Sequence, residues 1–521
     1  MWICPTTASR AKIVHSLSRG PKSSTHCIRN MSIDLSLERI RKLQAHLPTY
    51  TRPTCHITGT NGKGSVSAFL SSIFRTAAPT AQFKVGRFNS PHLISVNDSI
   101  TLNDVPVPMD LYASAHARVV QANTDRGIGA SNFELLTCTA LNIFETVGAE
   151  VVVLEVGMGG RLDATNVIPD NTVLASAMTA VDLDHQAFLG GTVTAIAREK
   201  AAIARPGRPF ILGRQSHCEV ELAVRDVIGP AGAELLMAPN VDKREWDESL
   251  DGPRPSVDQV PPPPTPVEVK LPCFEDPIRA LLPLQGGHQL ANLGVALGII
   301  SAIRIRKSVD LPWIDRLTPE NIAQGVRDTQ WPGRLSWHSL PGVAPLVLVD
   351  GAHNVASART LSAYIESLSH GIRPLTLTYL LGLSSSPPKT PEQTLEPLLS
   401  LSADIAVAAL PFSPPEGMPW VRDEPREALL AAVDKLAPHA IIWSGVDDEG
   451  SQDPIMQLRS ALEWAASRQA EKGGLIVVAG SLYLVADFYR LLAKLGRRGG
   501  SRAGGRRHSF IDRSVLMIER Q

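Results

Sequence analysis

At 521 residues the chain is long enough for two or more domains. Its 51 Lys and Arg balance its 51 Asp and Glu, so no global field points to nucleic acid or to an anionic membrane. Six cysteines, at 4, 27, 55, 138, 218 and 273, lack CxxC spacing and suit a reducing compartment, and no apolar run approaches the roughly 18 residues of a spanning helix.

Residues 1–30 hold five Lys and Arg, no Asp or Glu, and many Ser and Thr. That is the composition of a mitochondrial targeting segment; the alternatives are a plain tail or a start at Met31. The expected location is cytoplasmic or mitochondrial. Ser32–Leu43 reads as an amphipathic helix. A short apolar-biased run from Cys55 then ends in Gly59-Thr-Asn-Gly-Lys-Gly-Ser65, and Val66, Phe69, Leu70 and Ile73 follow at helical spacing. Strand, glycine-rich turn and helix can aim successive N–H groups at a phosphate, with Lys63 as a point charge. The turn departs from GxxxxGK[ST], because Ile57 stands where the first glycine belongs and Gly64 follows the lysine.

Arg87–Leu93 reads as a turn-rich segment before a strand pair at Ser99–Leu102 and its neighbour. Phe133–Phe144 has helical periodicity. Val151-Val-Val-Leu-Glu-Val156 is the continuous β-branched run of a parallel sheet covered on both faces. Strands alternating with helices indicate a doubly wound α/β core. Residues 239–277, rich in proline and acids, read as a mobile loop insertion, with prolines clustered at Pro261–Pro264. Leu290–Ile303 resumes as an apolar helix, and Trp331-Pro-Gly-Arg334 is a breaker cluster and the domain boundary. Pro345–Asp350 and Gly474–Gly480 are buried strands of a second, smaller α/β domain. The expected division is an extension at 1–30, an ATP-binding domain at 31–330, a C-terminal domain at 331–495 and a disordered basic tail at 496–521.

Glu155 ends a buried strand before Gly157-Met-Gly-Gly160. An acid there, beside a phosphate loop, is placed to hold Mg2+ directly or through water, or else is a paired core glutamate. Arg161, Asp163 and Asn166 extend a polar loop over the same face. Asp182-Leu-Asp-His185 reads as a second polar strand end, and Lys200 in Arg198-Glu-Lys-Ala201 faces the same region from a helix. His288–Asn292 opens another helix, and Asp350-Gly-Ala-His-Asn354 ends a strand as Glu155 does. Two domains offering polar strand ends suggest a nucleotide cleft between them.

From about Met31 to Leu492 these motifs resemble the folylpolyglutamate synthetase family, the folate branch of the Mur ligase superfamily. The resemblance rests on Gly-Thr-Asn-Gly-Lys-Gly-Ser, Ser-Pro-His-Leu, Glu-Val-Gly-Met-Gly-Gly-Arg-Leu-Asp-Ala-Thr-Asn, Asp-His-x-x-x-Leu-Gly, Glu-Lys-Ala, Trp-Pro-Gly-Arg and Asp-Gly-Ala-His-Asn. Phe133–Ala140, Glu416–Trp420 and Gly480–Leu484 look most similar to the family's fungal dihydrofolate synthetases. The resemblance implies a Mur-ligase-like α/β fold, a P-loop doubly wound parallel sheet domain plus a smaller C-terminal α/β domain. It implies a ligase that phosphorylates the carboxylate of dihydropteroate with ATP and joins L-glutamate to the acyl phosphate. The alternatives are a folylpolyglutamate synthetase or bifunctional enzyme, and an inactive nucleotide-binding regulatory protein.

By the same resemblance, the loop Thr60, Asn61, Gly62, Lys63, Gly64 and Ser65 holds ATP, with Asn292, Arg334, Asp350 and His353 across the cleft. Ser90, Glu155 and His185 hold Mg2+, and a monovalent cation is a further candidate cofactor. Lys200 is carbamylated. Lys63, His185 and Lys200 form the catalytic set. Dihydropteroate lies near Ser32, Ile33, Asp34 and Leu35, near Ser131, Asn132, Phe133 and Glu134, and near Leu162, Asp163 and Ala164. The implied protein is a monomer without nucleic-acid or membrane partners.

Overall fold

The computed structural model describes residues 36–77, 82–256, 261–306, 311–340, 343–368, 376–385, 387, 389–418, 421–445, 453–472 and 474–499. The targeting expectation at 1–30, the substrate positions Ser32, Ile33, Asp34 and Leu35, Pro419 and Trp420 of the fungal-type motif, and the basic tail beyond Gly499 lie outside the described residues. The described chain from Ser36 onward forms one compact unit.

In chain order the first half begins with α1 (Glu38–Gln44), β1 (Thr54–Thr58), α2 (Lys63–Ala77) and β2 (Val85–Phe88). Then come β3 (Ile100–Leu102), β4 (Val105–Pro106), α3 (Met109–Asp125), α4 (Asn132–Val147) and β5 (Val151–Glu155). They are followed by β6 (Val173–Met178), α5 (Gln186–Leu189), α6 (Val193–Ala201), β7 (Pro209–Leu212), α7 (Glu219–Ile228) and β8 (Glu234–Met237). These strands make one eight-stranded sheet in the order β4-β3-β2-β5-β1-β6-β7-β8. Its six strands β2, β5, β1, β6, β7 and β8 run parallel, and β3 and β4 add an antiparallel edge.

The β5 run shows why the sequence alternates so little. Val151 and Val153 pack with α2, while Val152 and Leu154 pack with α3 and α4 on the other face. Both faces are dry, so both alternating sets must be apolar. Two expectations move. Arg87 and Phe88 belong to β2 rather than to a turn, because they pair with Val153 and Leu154 of β5. The described part of the first expected helix begins at Glu38, where an acid occupies the first turn, after non-helical Ser36 and Leu37; Ile40 and Leu43 form its buried side.

The region 239–277 is not simply a loop. It contains β9 (Asp242–Lys243), α8 (Glu248–Asp251) and β10 (Thr265–Val269), and β10 pairs antiparallel with β11 (Ile278–Leu282). Val241, Val267 and Val269 are buried in the same core as α2. Proline does not prevent this, because β9 spans only two residues and Pro266 still accepts from Arg244 N through its carbonyl. Next, α9 (His288–Arg306) is long and apolar enough to cross a membrane by length and composition, against the expectation that no run comes close, but most of it is buried. Its Leu293, Val295, Ile299 and Ile300 complete the first core, with α10 (Pro319–Arg327) beside them.

The second half runs β12 (Ser336–Leu340), β13 (Val343–Val349), α11 (Val355–Leu368), β14 (Leu377–Leu381), α12 (Pro391–Leu399) and β15 (Ile405–Ala409). It ends with α13 (Arg426–Leu436), β16 (Ile441–Ile442), α14 (Pro454–Lys472), β17 (Leu475–Ala479) and α15 (Leu482–Gly499). The six strands order as β12-β13-β17-β14-β15-β16, parallel except for the β12–β13 pair. Leu348, Tyr379 and Val477 face α11 to α13, and Val347, Leu380 and Ile476 face α14 and α15. The halves meet through Leu93 and Ile94, which pack on the second core, through Arg490 Nη2 donating to Ile94 O at 2.6 Å, and through Asn132 Nδ2 donating to Gly417 O at 3.0 Å.

Candidate active site

The phosphate loop leaves β1 and enters α2 at Lys63. The N–H groups of Thr60 and Asn61 do not point at a ligand: both donate to Ala180 O, at 2.9 and 3.2 Å. The loop is thereby stapled to the segment after β6, and Thr60 Oγ1 adds a bond to Asp182 O at 3.1 Å. The N–H groups offered to an anion are those of the first turn of α2, Lys63 to Ser65, which a helix leaves without intrahelical partners. Gly64 is required by a close approach, since a Cβ there would lie 2.5 Å from Trp331 Cζ2. The Arg87 guanidinium sits 5.0 Å from the centre of that Trp331 ring. Asn292 lies against Gly62, its Nδ2 donating to Gln289 Oε1, and Gln289 Nε2 reaches Ser65 Oγ.

Lys63 Nζ donates to Gly59 O at 3.1 Å and to Thr60 O at 3.3 Å. Lys200 Nζ donates to the same Gly59 O at 2.9 Å. Lys200 is buried in the last turn of α6. Burial, and then the charge of Lys63, bring its pKa down to about 7, against the pull of Asp184 and Asp163. An amine so placed is partly unprotonated at neutral pH.

Glu155 stands buried at the carboxyl end of β5, and Asn89 Nδ2 donates to its Oε2. Burial pushes its pKa up, against the opposing influence of Lys63, Asn89, Arg334 and Arg87. Ser90 follows Asn89 and precedes Pro91 across a cis bond. His185 does not end a strand. It caps the short α5 in the left-handed region, with φ 50°, well beyond the last residue of β6, and its side chain is half exposed. Burial, Lys63, Lys200 and Lys389 lower its pKa against Asp184, so its imidazole is neutral.

Among the described residues no group of three His, Cys, Asp or Glu side chains is arranged to hold a metal. Mg2+ asks for less: one or two carboxylates, with waters and substrate phosphate completing the octahedron. Glu155 meets that demand as a buried carboxyl group bonded to Asn89 and acted on by Lys63; Ser90 is joined to it only through its neighbour Asn89, and among the described contacts none brings His185 to it.

On the other side, Arg334 Nη1 donates to Gly333 O at 3.0 Å and lies 2.6 Å from where a Cβ on Gly351 would be. Asp350 Oδ2 accepts from Leu335 N at 2.8 Å, and burial raises its pKa to about 6 despite Arg334. His353 Nδ1 is 2.8 Å from Gly351 O, which can only accept, so the proton is on Nδ1. Burial brings the His353 pKa down to about 4.

The expected dihydropteroate residues are largely engaged in structure. Ser131 Oγ accepts from Glu134 N, while Glu134 Oε2 accepts from Ser131 N at 2.7 Å and from Arg39 Nε at 3.2 Å. This capping box opens α4. Phe133 packs against Gly157 and Asn132 reaches the second half. Asp163 is buried, with Met158 N on one oxygen and Thr165 N and Oγ1 on the other. It shapes the glycine loop, Leu162 is half-buried in it and Ala164 is buried. Sequence reasoning missed Asn89 and Lys389. Asn89 had a signal in its place just before Ser90; Lys389, in a Ser/Pro/Thr-rich stretch, had none.

The C-terminal part, residues 333–491, matches the family model described as dihydrofolate synthetase, C-terminal domain. The chain is similar to the dihydrofolate synthetase of Saccharomyces cerevisiae, with 32% identity over 476 residues, 88% of this chain and 98% of that protein. Its fold is similar to Mycobacterium tuberculosis folylpolyglutamate synthase complexed with ADP and AMPPCP, with a TM-score of 0.70 at 24% identity over 88% of this chain and 95% of that one. It is also similar to E. coli FolC in complex with DHPP and ADP, with a TM-score of 0.67 at 26% identity over 91% and 96% of the two chains.

Proposed function

The chain belongs to the dihydrofolate synthetase family, and from that membership we propose that it joins L-glutamate to 7,8-dihydropteroate with ATP, yielding dihydrofolate, ADP and phosphate. The observation that supports this most is the disposition of Lys63 and Arg334, whose charges both act on the buried Glu155. Each donates to backbone carbonyls, so both charges remain for an anionic substrate. A carboxylate is a poor electrophile until it carries a leaving group. One pteroate oxygen attacks the γ-phosphorus, the bond to ADP breaks, and an acyl phosphate forms. The glutamate amine then attacks the acyl carbon, phosphate departs carrying one proton from the nitrogen, and the amide keeps its single N–H.

The first turn of α2 and Lys63 bind the phosphates, and Arg334 approaches from the second half; such transfer depends mainly on positioning and charge neutralisation. Glu155, with Ser90 and His185 as further candidate donors, would hold Mg2+, which supplies positive charge to a transferring phosphoryl group. Lys200, with a pKa near 7, is poised to take up carbon dioxide as a carbamate, losing a proton and becoming an anion. Glu155→Gln should raise the Mg2+ concentration needed for half-maximal rate.

The decisive experiment offers purified protein ATP, Mg2+ and L-glutamate with either 7,8-dihydropteroate or tetrahydrofolate as acceptor, and weighs the products. Dihydrofolate from the first is the expected result. Product from tetrahydrofolate alone would make the protein a folylpolyglutamate synthase, and product from neither would overturn the reading.

A further inference from the structure

Lys389 belongs to none of the motifs, yet the fold brings it to the same cleft. It follows β14, whose carboxyl end lies beside that of β17, with β13 next in the sheet. Ligands of open parallel sheets collect at such ends. Lys389 Nζ donates to His353 O at 2.6 Å. His353 turns its own Nδ1 onto Gly351 O, and Gly351 is the residue that Arg334 Nη1 packs against. The lysine is thus tied to the turn that carries Asp350 and borders Arg334.

Its charge also reaches the first half, acting on Asp184 and His185. The acids acting on Lys389 itself are Asp184 and Glu424, and among the described residues neither forms an ion pair with it. Burial lowers its pKa, as it does for Lys200. A half-buried ammonium bonded to a carbonyl, with no carboxylate at contact, is arranged to receive an anion.

We propose that Lys389 is a further cation of the reaction site, supplied by the second half of the chain, that contacts an oxyanion of a bound substrate. The oxyanion is the phosphoryl group passing from ATP to the pteroate, or a carboxylate of the incoming glutamate; a lysine recognises both alike. The inference rests on the ligase reading above. It gives the second half two cations, Arg334 against Gly351 and Lys389 on His353 O, both in contact with the Asp350–His353 turn.

The test compares wild type with Lys389→Met, which keeps the stem and removes the charge, and with Lys389→Arg. Wild-type turnover of dihydropteroate checks the ligase reading separately. Calorimetric affinity for an ATP analogue with a methylene between its β- and γ-phosphorus does not depend on that turnover. A phosphoryl contact predicts that Lys389→Met binds the analogue, or turns over at saturation, roughly ten- to hundred-fold worse, the scale of one charge-assisted hydrogen bond, with KM for glutamate unchanged. A carboxylate contact predicts that KM for glutamate rises by that factor while analogue affinity holds. In either case Lys389→Arg recovers part of the loss. Constants all within about two-fold of wild type, with or without a lower melting temperature, would overturn the proposal.

Discussion

The two sides of the cleft hold their basic side chains in different ways. On the first side Lys63 and Lys200 come from different helices and converge on one acceptor, the carbonyl of Gly59. The loop that supplies it is stapled to the segment after β6 through Ala180 O. On the second side Arg334 and Lys389 come from separate connecting segments, and each holds a carbonyl of its own half, Gly333 O and His353 O. The first arrangement is built on one sheet, within the first half of the chain. The second reaches a substrate only because the halves are packed together, with Trp331 against Gly64 as part of the junction. The contrast separates a preformed phosphate site from charge delivered by the linker and a distant loop.

The largest effect should come from breaking the preformed side. Lys63→Ala should fold normally and lower kcat by roughly 10²–10³, the scale for one transition-state charge contact. A melting curve together with steady-state rates checks both halves of that statement. Next is the junction. Gly64→Ala drives a methyl into the Trp331 ring, so the linker bearing Arg334 must shift. KM for ATP should rise roughly ten- to hundred-fold, because small misplacements near a reacting group are costly. Wild-type KM in this variant would show that the junction does not position Arg334.

The second side can be probed through Asp350. Its pKa is raised by burial to about 6 in the fold, so ionisation opposes folding. The penalty is absent below its unfolded pKa near 4 and complete above about 6, where it approaches roughly 3 kcal/mol. Asp350→Asn keeps an acceptor for Leu335 N and removes the charge. Without nucleotide, the variant should be more stable than wild type at pH 7.5, and the gain should vanish near pH 4 in urea titrations. The smallest effect sharpens the edge of the site. Ser131→Ala should cost about 1 kcal/mol of stability as a lost cap, with KM for dihydropteroate unchanged if the residue serves α4 alone. A raised KM without loss of stability would return Ser131 to the substrate.

Much of this was legible in the sequence because it follows from periodicity and from motif residues at strand ends. Val151–Glu155 could only be a strand covered on both faces, and Gly59–Ser65 could only be a strand-to-helix turn. The structure departs from the reading where a long-range partner decides. Arg87 looked like part of a turn until β5 paired with it, and the proline-rich stretch looked unstructured until Val267 and Val269 found the core around α2 and α9. His185 shows the limit most clearly. Its acidic neighbours resembled another strand end, but its left-handed backbone places it on a short helix beyond the sheet. Lys389 was silent because its setting is made by a carbonyl 36 residues away, and no local pattern encodes that.

The shared carbonyl of Gly59 has a consequence for reading variation in this chain. A main-chain oxygen cannot be deleted by any codon change, so the acceptor that gathers Lys63 and Lys200 is invisible to a mutational scan. Position 59 would still score as intolerant, for another reason: a Cβ there would lie 1.8 Å from Thr179 Oγ1. A heat map would mark the glycine as essential and credit its side-chain position, while the atom that organises the two lysines belongs to every amino acid alike. Replacing the Gly59 carbonyl by a thioamide, which weakens the acceptor and keeps the Thr60 N–H that bonds Ala180 O, would separate those two causes, which no natural substitution can.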